Sequence, residues 1–298
     1  MADEAMQHFL HTPFAVVSFV FGSMIGSFLN VCIYRMPRNE SIVKPRSRCP
    51  KCGVMIAWYD NIPILSWLVL RAKCRHCGQP ISWMYPLVEA LTGVLFLLVF
   101  WRFGFTLASP CYMALAGSMV LVTFVDLTDW TIPNQVTFPG IPLGIALSVV
   151  GMFYPASELV VTDVFDSVLG VLLGGGSLYL LDKISLLVLK KRGMGFGDVK
   201  LLAMLGAFLG WRNVLLIIML ASVLGSIVGI AMLLISPHTA KKPAPREGDE
   251  ETGREQPKGY YLPFGPYLAV AGLITLFLGN AIIKAYFSFL NVGQPVPF

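Results

Sequence analysis

Phe14–Tyr34 reads FAVVSFVFGSMIGSFLNVCIY, twenty-one residues without a charge. As a helix this run extends about 30 Å, the thickness of a bilayer's hydrocarbon core. It is too long for the core of a signal peptide, and no small-residue cleavage site follows it. Similar runs recur along the chain: Met84–Trp101, interrupted only by Glu89, then Pro110–Val125, Pro133–Tyr154, Val164–Leu181 running on towards Leu189, a short Val199–Leu209, Asn213–Ser236 and Leu262–Ile283. Composition agrees. The 298 residues are 56% hydrophobic and 13% charged, with mean hydropathy +0.70, whereas a soluble domain carries about 25% charged residues. So little charge cannot cover a water-soluble surface. A soluble enzyme, a disordered chain and a free nucleic-acid-binding module are excluded. The expected fold is an all-α polytopic membrane protein of about eight transmembrane helices, with the lipid bilayer as its solvent.

Lysine and arginine orient it. With the N-terminus outside, the segments 35–83, 183–200 and 237–260 face the cytoplasm with nine, five and five basic residues, and the other side keeps only Arg102, Arg212 and Lys284. Nineteen against three obeys the positive-inside rule, and dropping the short sixth span would spoil it. The expected organisation follows: 1–34, N-terminus and first helix; 35–83, a small cytoplasmic domain; 84–236, helices two to seven; 237–260, a flexible charged loop; 261–298, the last helix and C-terminus. Five G-x-x-x-G pairs in the spans read as close helix packing through small residues.

The small domain holds Cys49-x2-Cys52 and, 21 residues on, Cys74-x2-Cys77, each pair followed by glycine. Two such pairs fill the four positions of a closed tetrahedral site, so Cys49, Cys52, Cys74 and Cys77 are expected to hold a structural Zn2+. The same spacing also suits iron. A four-thiolate site has no open position for water, so its expected work is to fold a domain with too little core to fold alone.

Acids inside membrane spans call for a reason. Asp126 closes the third span and Asp198 opens the sixth, which puts both at the cytoplasmic boundary, where they can meet. Two carboxyls that close share one proton: one takes a proton from water while the other polarises a carbonyl, the chemistry of an aspartic protease. Gly195 and Gly197, with Gly193, leave the chain before Asp198 open to a substrate backbone. The positive end of the sixth helix points to Asp198 as the base. Each aspartate alone also reads as a helix cap or a solvated interfacial acid, and Asp129 is a second acid three residues from Asp126. Glu89 reads either as a substrate-recognition carboxylate or as an interfacial acid. A transporter with a proton-relay carboxylate pair and a zinc-bound domain is the competing function. A relay calls for acids near the midplane, and no inverted repeat is evident.

At these residues the chain resembles the type 4 prepilin peptidases, the bacterial GxGD aspartic membrane proteases. Gly26–Pro37, GSFLNVCIYRMP, is similar to the family's entry motif, and residues 47–89 are similar to its tetracysteine domain. Asp126 with Pro133 seven residues on resembles the first catalytic motif, Gly195-Phe196-Gly197-Asp198 the second, and LPFGPYL at 262–268 the motif of the last span. The resemblance implies Asp126 rather than Asp129 as the first catalytic aspartate. It implies cleavage of prepilins and pseudopilins after a Gly at the cytoplasmic face of the bacterial inner membrane. It also implies N-methylation of the new N-terminus by S-adenosylmethionine, for which no binding residue can be named because no strand precedes a G-x-G-x-x-G here. Ile132-Pro133-Asn134 stands where bacterial members often carry Leu-Pro-Asp, and Ala72 where a Gly is common.

Overall fold

The computed structural model describes residues 2–190, 195–235 and 263–289. The charged segment expected at 237–260, Gly193, and the end of the chain after Phe289 lie outside them. The described residues form nine α-helices, three short 3-10 turns and no strand: α1 (Ala2–Arg35), α2 (Leu65–Val69), α3 (Met84–Phe103), α4 (Ala108–Asp129), α5 (Asn134–Phe153), α6 (Val164–Leu189), α7 (Phe196–Leu209), α8 (Trp211–Ile235) and α9 (Gly265–Phe289). Seven of them, all but α2 and α7, are long and apolar enough to cross a membrane. The protein is an all-α, multi-pass membrane protein.

Apolar runs set the helices, and local signals end them. Gly104 stops α3 in a positive-φ conformation, with its N–H bonded to Phe100 O at 2.8 Å. Asp163 caps α6 by accepting from the Phe165 N–H at 3.0 Å, a cap that contributes about 1 kcal/mol.

α7 occupies the place of the short sixth span expected from the sequence, but it is not among the seven helices long enough to cross, against the eight expected. Its 14 residues extend about 21 Å, less than the bilayer core. It is packed by α5, α6, α8 and α9, and every residue from Asp198 to Leu209 is buried. Small residues permit this. A methyl on Gly174 of α6 would lie 2.5 Å from Leu202 O, and one on Gly144 of α5 would lie 2.6 Å from Ala207 Cβ. Gly170 and Gly206 bring α6 and α7 backbone to backbone, and a methyl on Gly26 of α1 would meet Glu89 Cα of α3 at 2.7 Å. Four of the five G-x-x-x-G pairs therefore mark close crossings. Gly225 and Gly229 do not: the first has only ordinary contacts and the second faces open space.

α1, α3 and α4 pack together, α5 to α8 form a second group, and α9 lies against α4, α7 and α8 to join them. At one end of the bundle Tyr112 of α4 accepts from the Val160 N–H at 2.7 Å. At the opposite end, Arg38 after α1 lies 4.0 Å from Asp129 in the last turn of α4. The cysteine-bearing segment between α1 and α3 is at this second end.

Candidate functional site

The end marked by Arg38 and Asp129 also brings Asp126 and Asp198 together. Asp126 sits in the last turn of α4, where Trp130 closes the helix in a left-handed conformation and donates to Asp126 O at 3.1 Å. The short link Thr131–Pro133 then turns the chain into α5. Gly195 caps α7, and Asp198 lies in its first turn with its N–H on Gly195 O at 3.2 Å. Both aspartates are buried, 6% and 8% exposed, and they interact electrostatically.

Three glycines and one isoleucine shape their surroundings. The Gly265 N–H, at the start of α9, donates to the Asp126 carboxylate. A methyl on Gly265 would lie 2.6 Å from Asp126 Oδ2 and 3.0 Å from Ile132 Cδ1. A methyl on Gly197 would meet Ile132 Cβ at 3.0 Å, and one on Gly195 would meet Asp198 Oδ2 at 3.3 Å. Ile132 therefore sits between the glycine start of α7 and the glycine start of α9. The Gly195 N–H donates to the Asp198 carboxylate. These backbone donors fix both carboxyl groups without spending a side chain on them.

In the sequence Gly265 is one residue of the LPFGPYL motif, with no role of its own. The only sequence signal is a glycine opening the last span, which leaves its N–H and its surface free but does not name the acid beside it. Lys200 falls by its charge with the cytoplasmic segment 183–200, yet it is buried in α7. Its ammonium is hydrogen-bonded to Asn134 Oδ1 and lies over the rings of Phe138 at 5.0 Å and Phe196 at 5.3 Å. Asn134 opens α5, so this contact ties the start of α5 to α7, next to Asp198.

Glu89 lies apart from the aspartate pair. Its Oε2 accepts from the Ile64 N–H at 2.7 Å, and Ser27 of α1 also hydrogen-bonds to it. Ile64 has a left-handed φ of +62°, costly for a β-branched residue. Glu89 thus secures a strained turn of the cysteine-bearing segment against α3.

That segment is built on two matching turns. Cys49 N–H bonds Val54 O at 2.9 Å and Gly53 N–H bonds Cys49 O at 2.9 Å; Cys74 N–H bonds Gln79 O at 2.8 Å and Gly78 N–H bonds Cys74 O at 2.9 Å. Gly53 and Gly78 take φ of +72° and +68°, which glycine adopts without strain. The four sulfurs lie within 4.8 Å of one another, and Cys49 Sγ to Cys77 Sγ is 3.9 Å. Four Zn–S bonds of about 2.3 Å in a tetrahedron need sulfurs about 3.8 Å apart, so the donor set fits such an ion. The Cys52 N–H holds the Cys49 thiol down at about 7, against the opposing effect of burial and with help from the Lys51 N–H. The Cys77 and His76 N–H groups likewise lower the Cys74 thiol. Each turn thus lowers the thiol of its first cysteine, while, against the Gln79 N–H, burial and the neighbouring cysteine sulfurs push the Cys77 thiol up to about 11. Arg75, between the second pair of cysteines, makes a bidentate ion pair with Asp60 at 2.8 and 2.5 Å and holds that carboxyl below its ordinary range.

A cavity of about 220 Å3 lies beside α1, lined by Met24, Phe28, Arg35, Arg46 and Asn61 among others. It is smaller than the roughly 300–1,000 Å3 of sites for drug-sized ligands. Its lining includes no acid that could bind a ribose or an amine. It does not fit S-adenosylmethionine, and no methyl-transfer step is assigned to it.

Residues 20–103 match the bacterial peptidase A24 N-terminal domain, and residues 113–230 match the type IV leader peptidase family. A protein of Myxococcus xanthus named prepilin leader peptidase/N-methyltransferase is 39% identical across 99% of this chain and 100% of its own length. Proteins of the same name from Aeromonas hydrophila and Neisseria gonorrhoeae are 36% and 35% identical, over 90% and 92% of this chain and 92% and 94% of theirs. No solved structure matches.

Proposed function

Because the chain belongs to the type IV leader peptidase family, we propose that Asp126 and Asp198 form the catalytic dyad of an intramembrane leader peptidase. The enzyme is an aspartic endopeptidase that cleaves the leader from prepilins and then methylates the new N-terminus. The observation that carries the assignment is the convergence of the two buried carboxyls between α4, α7 and α9, each held by backbone N–H groups.

The reaction follows from that geometry. The dyad holds one proton. The ionised carboxylate takes a proton from a water molecule as its oxygen attacks the scissile carbonyl, and the protonated carboxyl hydrogen-bonds the carbonyl oxygen as it becomes an oxyanion. Collapse of the tetrahedral intermediate breaks the C–N bond, and the amine leaves with a proton from the dyad. The site needs no covalent intermediate. Gly195, Gly197 and Gly265 present bare backbone beside the carboxyls, so an extended substrate can approach closely. Burial of the site limits the water that reaches it and strengthens every charge interaction within it.

In this reading the aspartate end faces the cytoplasm of a bacterial inner membrane and the N-terminus lies outside, as the lysine and arginine distribution favours. A prepilin presents its leader in the cytoplasm and its apolar helix in the bilayer, so the bond to be cut falls at the level of the dyad. Residues 35–83 form the metal domain, and Cys49, Cys52, Cys74 and Cys77 hold a structural Zn2+. The spans between 84 and 236 supply both aspartates, and α9 contributes Gly265. S-adenosylmethionine is the methyl donor, as the methyltransferase names of the relatives support. Glu89 acts through the metal domain rather than as a substrate ligand.

Co-expression with a prepilin, followed by mass spectrometry of the mature N-terminus, tests the function. A leader removed after its final Gly and one added methyl group are expected; an intact leader would contradict the reading. The metal role has its own test. Cys49→Ser, or chelation of the purified protein, should lower abundance and thermal stability several-fold more than it lowers turnover per folded molecule. A loss of about 1–2 kcal/mol already changes abundance several-fold. Unchanged stability after chelation would remove the structural metal.

A further inference from the structure

We propose that α2 is an interfacial helix whose apolar face sits in the headgroup–acyl boundary of the bilayer. The cysteine-bearing segment would then rest on the membrane instead of standing off in water.

The composition of α2 raises the question. Leu65, Leu68 and Val69 are 59%, 58% and 75% exposed. At spacings of three and four they share one helix face. The other side is turned inward: Trp67 Nε1 donates to Ile81 O at 3.2 Å, and Ser66 Oγ donates to Tyr59 O at 3.2 Å. An apolar face this exposed needs a cover.

The Glu89 hydrogen bond supplies the depth. α3 has 20 residues and extends about 30 Å, so it spans the hydrocarbon core with no length to spare. Glu89 lies five residues after Met84, about 7.5 Å along the axis. Its side chain leans back towards the helix start, as helical side chains do. The Ile64 N–H that it binds, immediately before Leu65, is therefore within a turn or so of the plane where α3 enters the core. Asn30 Nδ2 of α1 donates to Tyr85 O at 3.1 Å, so α1 and α3 reach that plane together. α3 also turns an apolar surface outward, with Leu87, Leu91 and Val94 exposed. Trp58 and Trp83, 75% and 68% exposed, flank it and are of the type that collects at membrane interfaces. A stripe of leucine and valine flanked by tryptophan suits a helix lying in that layer.

Photocrosslinking of the full chain in vesicles of phosphatidylethanolamine and phosphatidylglycerol tests this. Leu68→p-benzoylphenylalanine and Val69→p-benzoylphenylalanine keep an exposed apolar side chain at exposed positions, so the fold is retained. The same substitution at Val94, exposed on α3, sets the lipid-facing yield, and at Lys51, exposed on the first cysteine turn, the aqueous yield. Phospholipid adducts at 68 and 69 should match those at 94 and exceed those at 51 several-fold. Adducts at 68 and 69 no higher than at 51 would overturn the proposal. Crosslinks from 68 or 69 to a second copy of the chain would overturn it too, assigning the face to a dimer.

Discussion

Asp126→Asn and Asp198→Asn, made separately, will each lower leader cleavage by about 10^3-fold or more while leaving the protein in the membrane at normal abundance. General acid–base groups contribute about 10^2–10^4-fold each, and a dyad acts as a unit, so losing either member removes most of the effect. Asparagine keeps the volume and can still accept the Gly265 or Gly195 N–H, which preserves the packing between α4, α7 and α9. It can neither ionise nor share a proton. Cleavage of a co-expressed prepilin, read from the mass of its mature N-terminus, reports the loss. Normal cleavage by both variants would remove the dyad. Asp129→Asn is the control: Asp129 faces Arg38 at 4.0 Å and is part-exposed, so its variant should cleave almost normally.

The second large effect is expected at a residue with no side chain. Gly265→Ala will reduce cleavage by on the order of 10^2-fold, the cost of moving a reacting group by about 1 Å. The added methyl would fall 2.6 Å from Asp126 Oδ2 and 3.0 Å from Ile132 Cδ1. Neither can yield freely, because Asp126 is held in the last turn of α4 and Ile132 is confined against Gly197. The carboxyl must turn away, and its hydrogen bond from the Gly265 N–H weakens as it does. Turnover should fall further than apparent substrate affinity, because the methyl disturbs the reacting group itself. The variant should accumulate normally, since the clash is local to one end of α9. Turnover within a few-fold of the unaltered enzyme would show that Asp126 does not need the position it occupies here. The same substitution at Gly229, where a methyl would meet nothing, is expected to be silent.

Most of the architecture was legible because hydrocarbon imposes a simple rule: an uncharged run of about twenty residues becomes a helix. The spans, the two cysteine turns and the glycine-rich crossings follow from such local signals. The boundaries were less legible. α4 continues one turn past Asp126 to Asp129, so Asp126 lies inside the helix rather than at its end, and α7 opens three residues before Val199. Polar residues at a helix end belong to the helix whenever the backbone keeps its hydrogen bonds, and hydropathy does not detect that.

What could not be read were pairings between distant elements. Glu89 allowed two readings, and its partner in the fold, the Ile64 N–H, is a backbone group 25 residues away that no sequence pattern points to. Gly265 lies 139 positions from Asp126, and nothing in its own neighbourhood reveals the carboxyl it touches. Lys200 looks like a loop cation until Asn134, Phe138 and Phe196 are seen around its ammonium. The exposed face of α2 is invisible in a segment whose composition is polar overall.

The most direct test of the central claim is the pH dependence of kcat/KM for prepilin cleavage by the reconstituted enzyme. Two carboxyls that share a proton are active in the singly protonated form alone. The profile should therefore be a bell, falling on the acid side as the second carboxyl protonates and on the alkaline side as the shared proton is lost, with both limbs belonging to the pair. An activity that stayed flat through the acid limb, or rose through a single ionisation to a lasting plateau, would show that Asp126 and Asp198 do not work as one unit.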